Sequence, residues 1–315
     1  AKEIAVDIIR DRDGEIYVAG IMEHIEEAGI HSGDSACSLP PYSVSKETQN
    51  KIIEWVSKIA NEINVVGLMN TQLAIKDKKI YVLEVNPRAS RTVPFVAKSK
   101  GIPVAKIAAK VMVGEKISSI LNDYKINELK NFNVKESVFP FNKFDGVDLI
   151  LGPEMKSTGE VMGIDETFLS SYIKSQIACG NILPSKGTVF ISIDNDNKKF
   201  IIEIAQKLKE LDFNLLATKG TAEYLNTNNI KTKIVNKVKE GNPHVVDSLI
   251  NNEIQLVINT TKTQSSIRDS YSIRRTSLMY NIPYYTTIAG AKVAVDAIAH
   301  MKTQEFTIKS LQTIN

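Results

Sequence analysis

The chain has 315 residues, 43% of them hydrophobic and 24% charged, and a formal net charge of +3. These values describe a soluble globular chain with room for two or three domains; the charge is too small to argue for nucleic-acid binding, and no apolar run reaches the roughly 20 residues of a membrane span. Cys37 and Cys179 are the only cysteines, so a disulfide framework is not expected, a cytoplasmic setting fits, and each thiol reads as a small buried hydrophobe. The chain opens without methionine, and Ala1–Asp7 enters a strand with no signal-peptide pattern. It therefore reads as a fragment of a longer protein.

Residues 1–115 alternate strands and helices. Ala5–Ile9 and Glu15–Ala19 flank the hairpin turn Asp11-Arg12-Asp13-Gly14. Ser45 is placed to cap a helix whose apolar positions Ile52, Ile53, Val56, Ile59, Ala60 and Ile63 recur at helical spacing. Two further strands, near Gly67–Gln72 and Tyr81–Asn86, are joined by Asp77-Lys78-Lys79. Side chains two apart on a strand share a face, so Glu84 and Asn86 point the same way, and a turn centred on Lys78 sets Gln72 opposite Glu84. One carboxylate and two amides suit Mg2+ or Mn2+ shared with phosphate oxygens. Arg88 and Arg91 follow and can hold an anion by bidentate bonds, which together imply phosphoryl chemistry. An ordinary hairpin with a polar face and a solvated basic loop fits the same spacing. Pro94–Val113 reads as one apolar helical stretch closed by Gly114.

Residues 116–182 read as a helical connector, with a polar stretch over 122–133 and a helix from Asp165 to Ala178. Gly180–Gly187 has the composition of a linker. From Thr188 onward regular alternation sets in, with strands at Val189–Ile193, Phe213–Ala217, Thr232–Val235, Leu256–Asn259 and Pro283–Thr286, and helices including Lys198–Leu211, Pro243–Asn251 and Ile267–Tyr280. This is the pattern of a parallel sheet with helices on both faces. The carboxyl ends of these strands carry Ser192, Thr218, Thr221, Lys237, Asn259, Thr261 and Thr286. Ligands of open α/β sheets bind at that edge, and a small phosphate-bearing molecule with Lys237 and Lys198 as its cations is the natural occupant. Helix capping by Thr and Asn accounts for part of the same pattern.

Three long motifs, in one order, carry a resemblance. Glu84-Val-Asn86-Pro-Arg88-Ala-Ser-Arg91 resembles the metal-binding signature of the second ATP-grasp unit of the carbamoyl-phosphate synthetase large chain. Gly20–Pro40 and Leu151–Gly163 are similar to other stretches of that family, and residues from 183 on resemble its methylglyoxal-synthase-like regulatory domain. The fold class implied is α/β: a partial ATP-grasp unit with a mixed sheet over 1–115, the connector, then a Rossmann-like domain over 183–315. The resemblance assigns Gln72, Glu84 and Asn86 to metal, Glu3, Gly29, Ile30, His31, Ser32, Gln72 and Glu84 to ATP, and Arg88 and Arg91 to the transferred phosphoryl group, with K+ as a further candidate ion. It assigns Ser192, Lys198, Thr218, Thr221, Lys237, Asn259 and Thr261 to a nucleotide effector such as UMP or IMP, and Glu26, Asp34, Glu136 and Thr286 to ornithine.

The implied activity is ATP-dependent phosphorylation of carbamate, serving pyrimidine and arginine biosynthesis. The implied partners are the missing amino-terminal part of the large chain, a glutaminase small subunit and further copies of the chain; no nucleic acid or membrane is implied. The family's glycine-containing lid is not in this sequence, so the chain alone is expected to bind ATP poorly and turn over nothing. Two other readings stand beside this one. A stand-alone nucleotide-sensing module would bind without catalysis. A methylglyoxal synthase would need a histidine at the crevice, whereas Thr261–Asp269 contains none and this half holds only His244 and His300.

Overall fold

The computed structural model describes residues 1–126, 128–144, 146–304 and 307–314. The expected polar stretch over 122–133 and the unit ending at 315 each include residues outside that set. Seven strands form the first sheet: β1 (Lys2–Arg10), β2 (Ile16–Glu27), β3 (Cys37–Leu39), β4 (Gly67–Lys76), β5 (Lys79–Asn86), β6 (Phe132–Val138) and β7 (Gly159–Asp165). Their order is β5-β4-β1-β2-β3-β6-β7, and every pairing is antiparallel. The sheet is thus antiparallel throughout rather than mixed, and the connector is not simply helical, because β6 and β7 extend the sheet.

β1 lies centrally, so both its faces are covered. Ile4, Val6 and Ile8 pack with Ile52, Val56 and Ala60 of α1 (Lys46–Glu62). Ala5 and Ile9 face the opposite core, built from α2 (Val93–Lys100), α3 (Val104–Met112) and α4 (Ile117–Leu121). Burying such a side chain contributes about 1.5–3 kcal/mol. Ser45 caps α1, its hydroxyl accepting from the Thr48 N–H at 3.2 Å. The single helix expected over 94–113 is two, because Gly101 adopts φ 66° and Pro103 follows. α5 (Phe168–Ala178) starts later than expected, since Asp165 still belongs to β7 and Thr167 supplies the cap.

The second sheet holds β8 (Thr188–Ser192), β9 (Asn214–Ala217), β10 (Lys233–Ile234), β11 (Leu256–Asn259) and β12 (Tyr284–Tyr285), in the order β10-β9-β8-β11-β12 and parallel throughout. α6 (Lys198–Glu210), α7 (Lys219–Thr227), α8 (Val245–Ile250), α9 (Gln264–Asp269), α10 (Tyr271–Met279) and α11 (Ile288–Met301) cover it. The helix expected over 267–280 is divided at Ser270 into α9 and α10. One core continues from Ile25, Val134 and Tyr172 beside the first sheet into Val189, Ile204 and Ala294 of the second, so the two layers are packed together. Among the described residues no helix is long and apolar enough to cross a membrane.

Candidate functional site

The β4–β5 hairpin sets the first site. Asp77 and Lys78 take φ 50° and 62°, so the loop is a two-residue turn with Lys76 opposite Lys79. Continued unchanged, that register would place Gln72 opposite Leu83. An irregularity between Gln72 and Leu73 shifts it by one, and Gln72 pairs with Glu84 while Asn70 pairs with Asn86. The expected pairing is reached by a turn and a bulge rather than by a longer turn.

A cleft of about 580 Å³ is lined by all ten residues expected at the nucleotide and metal: Glu3, Gly29, Ile30, His31, Ser32, Gln72, Glu84, Asn86, Arg88 and Arg91. The Asn86 amide donates to Glu84 Oε1, Arg88 donates to Asn86 Oδ1 at 3.2 Å, and Gln72 Nε2 donates to Ser32 Oγ at 3.5 Å. Among the described residues no three His, Cys, Asp or Glu side chains gather as metal ligands, so a cation here would rest on one carboxylate and two amide oxygens.

His31 faces Arg91, with Nε2 3.2 Å from the guanidinium, while its Nδ1 accepts from the Gly33 N–H at 3.0 Å. Desolvation, then the Arg91 charge, lower its pKa. With Nδ1 accepting, the neutral ring carries its proton on Nε2, and two donors oppose each other with no acceptor between them. Arg91 also donates to the Met155 thioether at 2.7 Å.

Sequence reasoning missed Asp7, the buttress beneath this site. It is fully buried and accepts from Asn70 Nδ2 at 2.8 Å, Ser90 Oγ at 2.9 Å and Thr92 Oγ1 at 3.0 Å, pinning the arginine loop to the sheet. Its signal was a lone acid inside the apolar run Ile4–Ile9. Asn70, Leu83, Ala89, Ser90 and Pro153 also line the cleft. Behind it, His24 is buried, 3.6 Å from Glu3 Oε1, and held neutral with its pKa pushed down to about 3 by desolvation.

A second cavity, about 320 Å³, is lined by Glu26, Asp34, Glu136 and Thr286, with Tyr172, Gln176 and Tyr285 beside them. Asp34 is committed to backbone, accepting from the N–H groups of Lys156 at 2.8 Å and Ser157 at 2.9 Å. Glu136 accepts from Gln176 Nε2 at 2.5 Å and Glu26 from the Ala36 N–H at 2.7 Å. Burial raises the pKa of both glutamates, and the charge of Glu26 adds to the rise at Glu136.

At the carboxyl ends of the parallel strands, Ser192 Oγ lies 3.3 Å from Thr218 Oγ1, and Thr221 Oγ1 accepts from the Ile193 N–H at 3.1 Å. Asn259 is buried with its amide nitrogen unpartnered, an open donor at the edge where ligands of such sheets bind. Lys198 stands beside Gly220 and 5.9 Å over the Tyr224 ring. Lys237 caps an exposed turn, and Thr261 follows the end of β11. Thr260, at the same strand end, donates to Asp194 at 2.6 Å and ties two crevice loops together.

Comparison with known proteins finds matches in both halves of the chain. The family described as "Carbamoyl-phosphate synthase L chain, ATP binding domain" matches residues 1–120, and the one described as "MGS-like domain" matches residues 200–286. The carbamoyl phosphate synthase large chain of Myxococcus xanthus is 50% identical over 312 residues, covering 99% of this chain and 29% of that protein. Its counterpart from Archaeoglobus fulgidus is 50% identical over 313 residues, with the same coverage of 99% and 29%. The chain therefore spans about 29% of the length of these relatives. Among solved structures, the biotin carboxylase subunit of pyruvate carboxylase aligns at 15% identity and a TM-score of 0.44, over 56% of this chain and 44% of that one, a likeness too slight to carry an argument.

Proposed function

We propose that this chain, kin to carbamoyl phosphate synthase large chains along nearly its whole length, is the carboxy-terminal part of such a chain: half of a phosphoryl-transfer site, over residues 1–115, joined through 116–182 to a nucleotide-sensing domain over 183–315. In the reaction, a carbamate oxygen attacks the γ-phosphorus of ATP. The new P–O bond forms as the bond to the β-bridging oxygen breaks, giving carbamoyl phosphate and ADP. Such catalysis is chiefly positioning and charge neutralisation.

Gln72, Glu84 and Asn86 would hold Mg2+ or Mn2+, whose contribution when bound is to neutralise phosphate charge. Arg91, with His31 3.2 Å from its guanidinium, brings positive charge to the cleft and so favours a phosphate oxygen there. Arg88, steadied by Asn86, supplies a further cation. Glu3, Gly29, Ile30 and Ser32 border the nucleotide. The observation that carries the reading is that ten residues scattered between positions 3 and 91 surround one cleft.

In the sensing domain, the unpartnered Asn259 amide with Ser192, Lys198, Thr218, Thr221, Lys237 and Thr261 suits the phosphate and base of UMP or IMP. The acidic cavity suits the ammonium groups of ornithine, with Glu26 and Glu136 as the carboxylates that would receive them and Thr286 beside them, while Asp34 serves the wall. K+ as a further ion, cytoplasmic work in pyrimidine and arginine synthesis, a glutaminase small subunit and the amino-terminal remainder as partners, and self-association complete the proposal. The 315 residues alone should make no carbamoyl phosphate.

Calorimetry on the whole chain with UMP, IMP and magnesium–ATP tests this. All three should bind, ATP weakly, and Glu84→Gln should remove the ATP signal alone. Nucleotide monophosphate binding with no ATP signal would instead leave a module that only senses.

A further inference from the structure

We infer that the segment 148–157 is a strap that couples the strand-end crevice mechanically to the nucleotide cleft, anchored by the Arg274–Asp148 pair; its regulatory meaning rests on the reading of those two sites given above. Arg274, on α10, is 1% exposed, and donates from Nε to Asp148 Oδ1 at 2.5 Å and from a terminal nitrogen to Asp148 Oδ2. The same guanidinium donates to the Ile267 carbonyl of α9 at 2.8 Å. α9 is the helix that begins three residues after Thr261. Tyr284, whose hydroxyl donates to the Asn259 carbonyl at 3.5 Å, adjoins Arg274 as well. Arg275 adds a neighbouring tie, donating to the Phe141 carbonyl at 3.1 Å.

From Asp148 the chain runs without regular structure as far as Thr158, and its fixed points lie at the three sites. Leu149 and Leu151 line the acidic cavity. The Gly152 carbonyl accepts from the His31 N–H at 2.8 Å, and Pro153 lines the nucleotide cleft. Met155 Sδ accepts from Arg91 at 2.7 Å, and Asp34 holds the N–H groups of Lys156 and Ser157. Lys156 Nζ donates to the Ile150 carbonyl at 2.7 Å and keeps the strap folded on itself.

The physical reason for transmission is the burial of Arg274. A desolvated guanidinium cannot be left without its carboxylate cheaply, so a shift of α9 and α10 on filling the crevice carries Asp148 with it. The next firm attachments are the loop holding His31 and the side chain of Arg91. Displacement there changes the two donors that face the phosphoryl position.

Hydrogen exchange on the full chain tests the strap directly. Asp148→Asn should speed exchange by about tenfold at His31, Lys156 and Ser157 as well as near Arg274. Because that variant leaves a buried cation and can misfold, Met155→Leu perturbs the opposite end and should speed exchange in 264–275. Acceleration confined to the mutated end in both variants overturns the proposal. A ligand arm runs in parallel: UMP and magnesium–ADP are titrated separately and together. Coupling of about fivefold or more in the wild type should fall toward unity in Asp148→Asn, with each separate Kd within about twofold; coupling that survives Asp148→Asn overturns the proposal. Failure of either ligand to bind the wild type counts against the assigned function, and the exchange result still decides the strap.

Discussion

Gly163→Ala should unseat α5 from β7. A Cβ built on Gly163 lies 2.0 Å from the Ser171 carbonyl oxygen, 2.6 Å from the Ser175 nitrogen and 2.9 Å from Lys174 Cβ. Unstrained contacts between carbon atoms need roughly 3.5 Å, and the two nearest obstacles are helix backbone that cannot rotate away. The helix must retreat by more than about 1 Å, which places the cost near the upper end of the overpacking range, about 3 kcal/mol. For a unit of this size that lowers Tm by about 6–12 °C. Retreat also draws Gln176 away from Glu136, to which it donates at 2.5 Å, and so loosens the acidic cavity. Gly159→Ala, at the start of the same strand, meets nothing within 4 Å and serves as the control. Thermal unfolding of the two variants decides the matter: equal Tm values would refute the packing argument.

The acidic cavity predicts a pH dependence of definite sign. Glu26 and Glu136 have folded pKa values above 4.5, so their stability contribution is full below that pH and is lost as pH rises through the folded values. His24, depressed to about 3, gives the opposite slope as pH falls below 6.5. A diammonium ligand needs the carboxylates ionised, so the Tm increment from ornithine should grow between pH 6 and pH 8 by up to the equivalent of about tenfold in affinity per unit; a flat or falling increment would count against this occupant. Desolvation pushes the thiols of Cys37 and Cys179 up to about 12. At pH 8 only about one molecule in ten thousand carries the Cys37 thiolate, and iodoacetamide should not label that buried residue in the native chain, whereas Cys179, expected to be buried too, is only half-buried and lines the acidic cavity; rapid labelling of Cys37 would show that its burial is wrong.

Where a single local rule governed, the sequence was readable. Ser45 before an apolar periodic run marks the α1 cap, and β/α alternation marks the parallel sheet. Errors arose where two local signals competed. Pro94–Val113 has helical hydrophobicity throughout, yet Gly101 and Pro103 break it. β6 carries lysine and glutamate, and β7 glutamate and aspartate, among their apolar residues, and only the pairing of β6 with β3 and of β7 with β6 reveals them as sheet. In the hairpin, the match of Gln72 to Glu84 was legible although the bulge was not. Asp7, Ser90 and Thr92 escaped notice because their importance lies in contacts more than eighty residues apart in sequence, which no periodicity reports.

The central claim is that Gln72, Glu84 and Asn86 form one divalent-cation seat facing Arg88 and Arg91. Substoichiometric Mn2+ added with ADP to the isotope-labelled chain should broaden the side-chain amide resonances of Gln72 and Asn86 first, and Glu84→Gln should abolish that selectivity. Broadening that begins at another site, or that persists unchanged in the variant, would contradict the account.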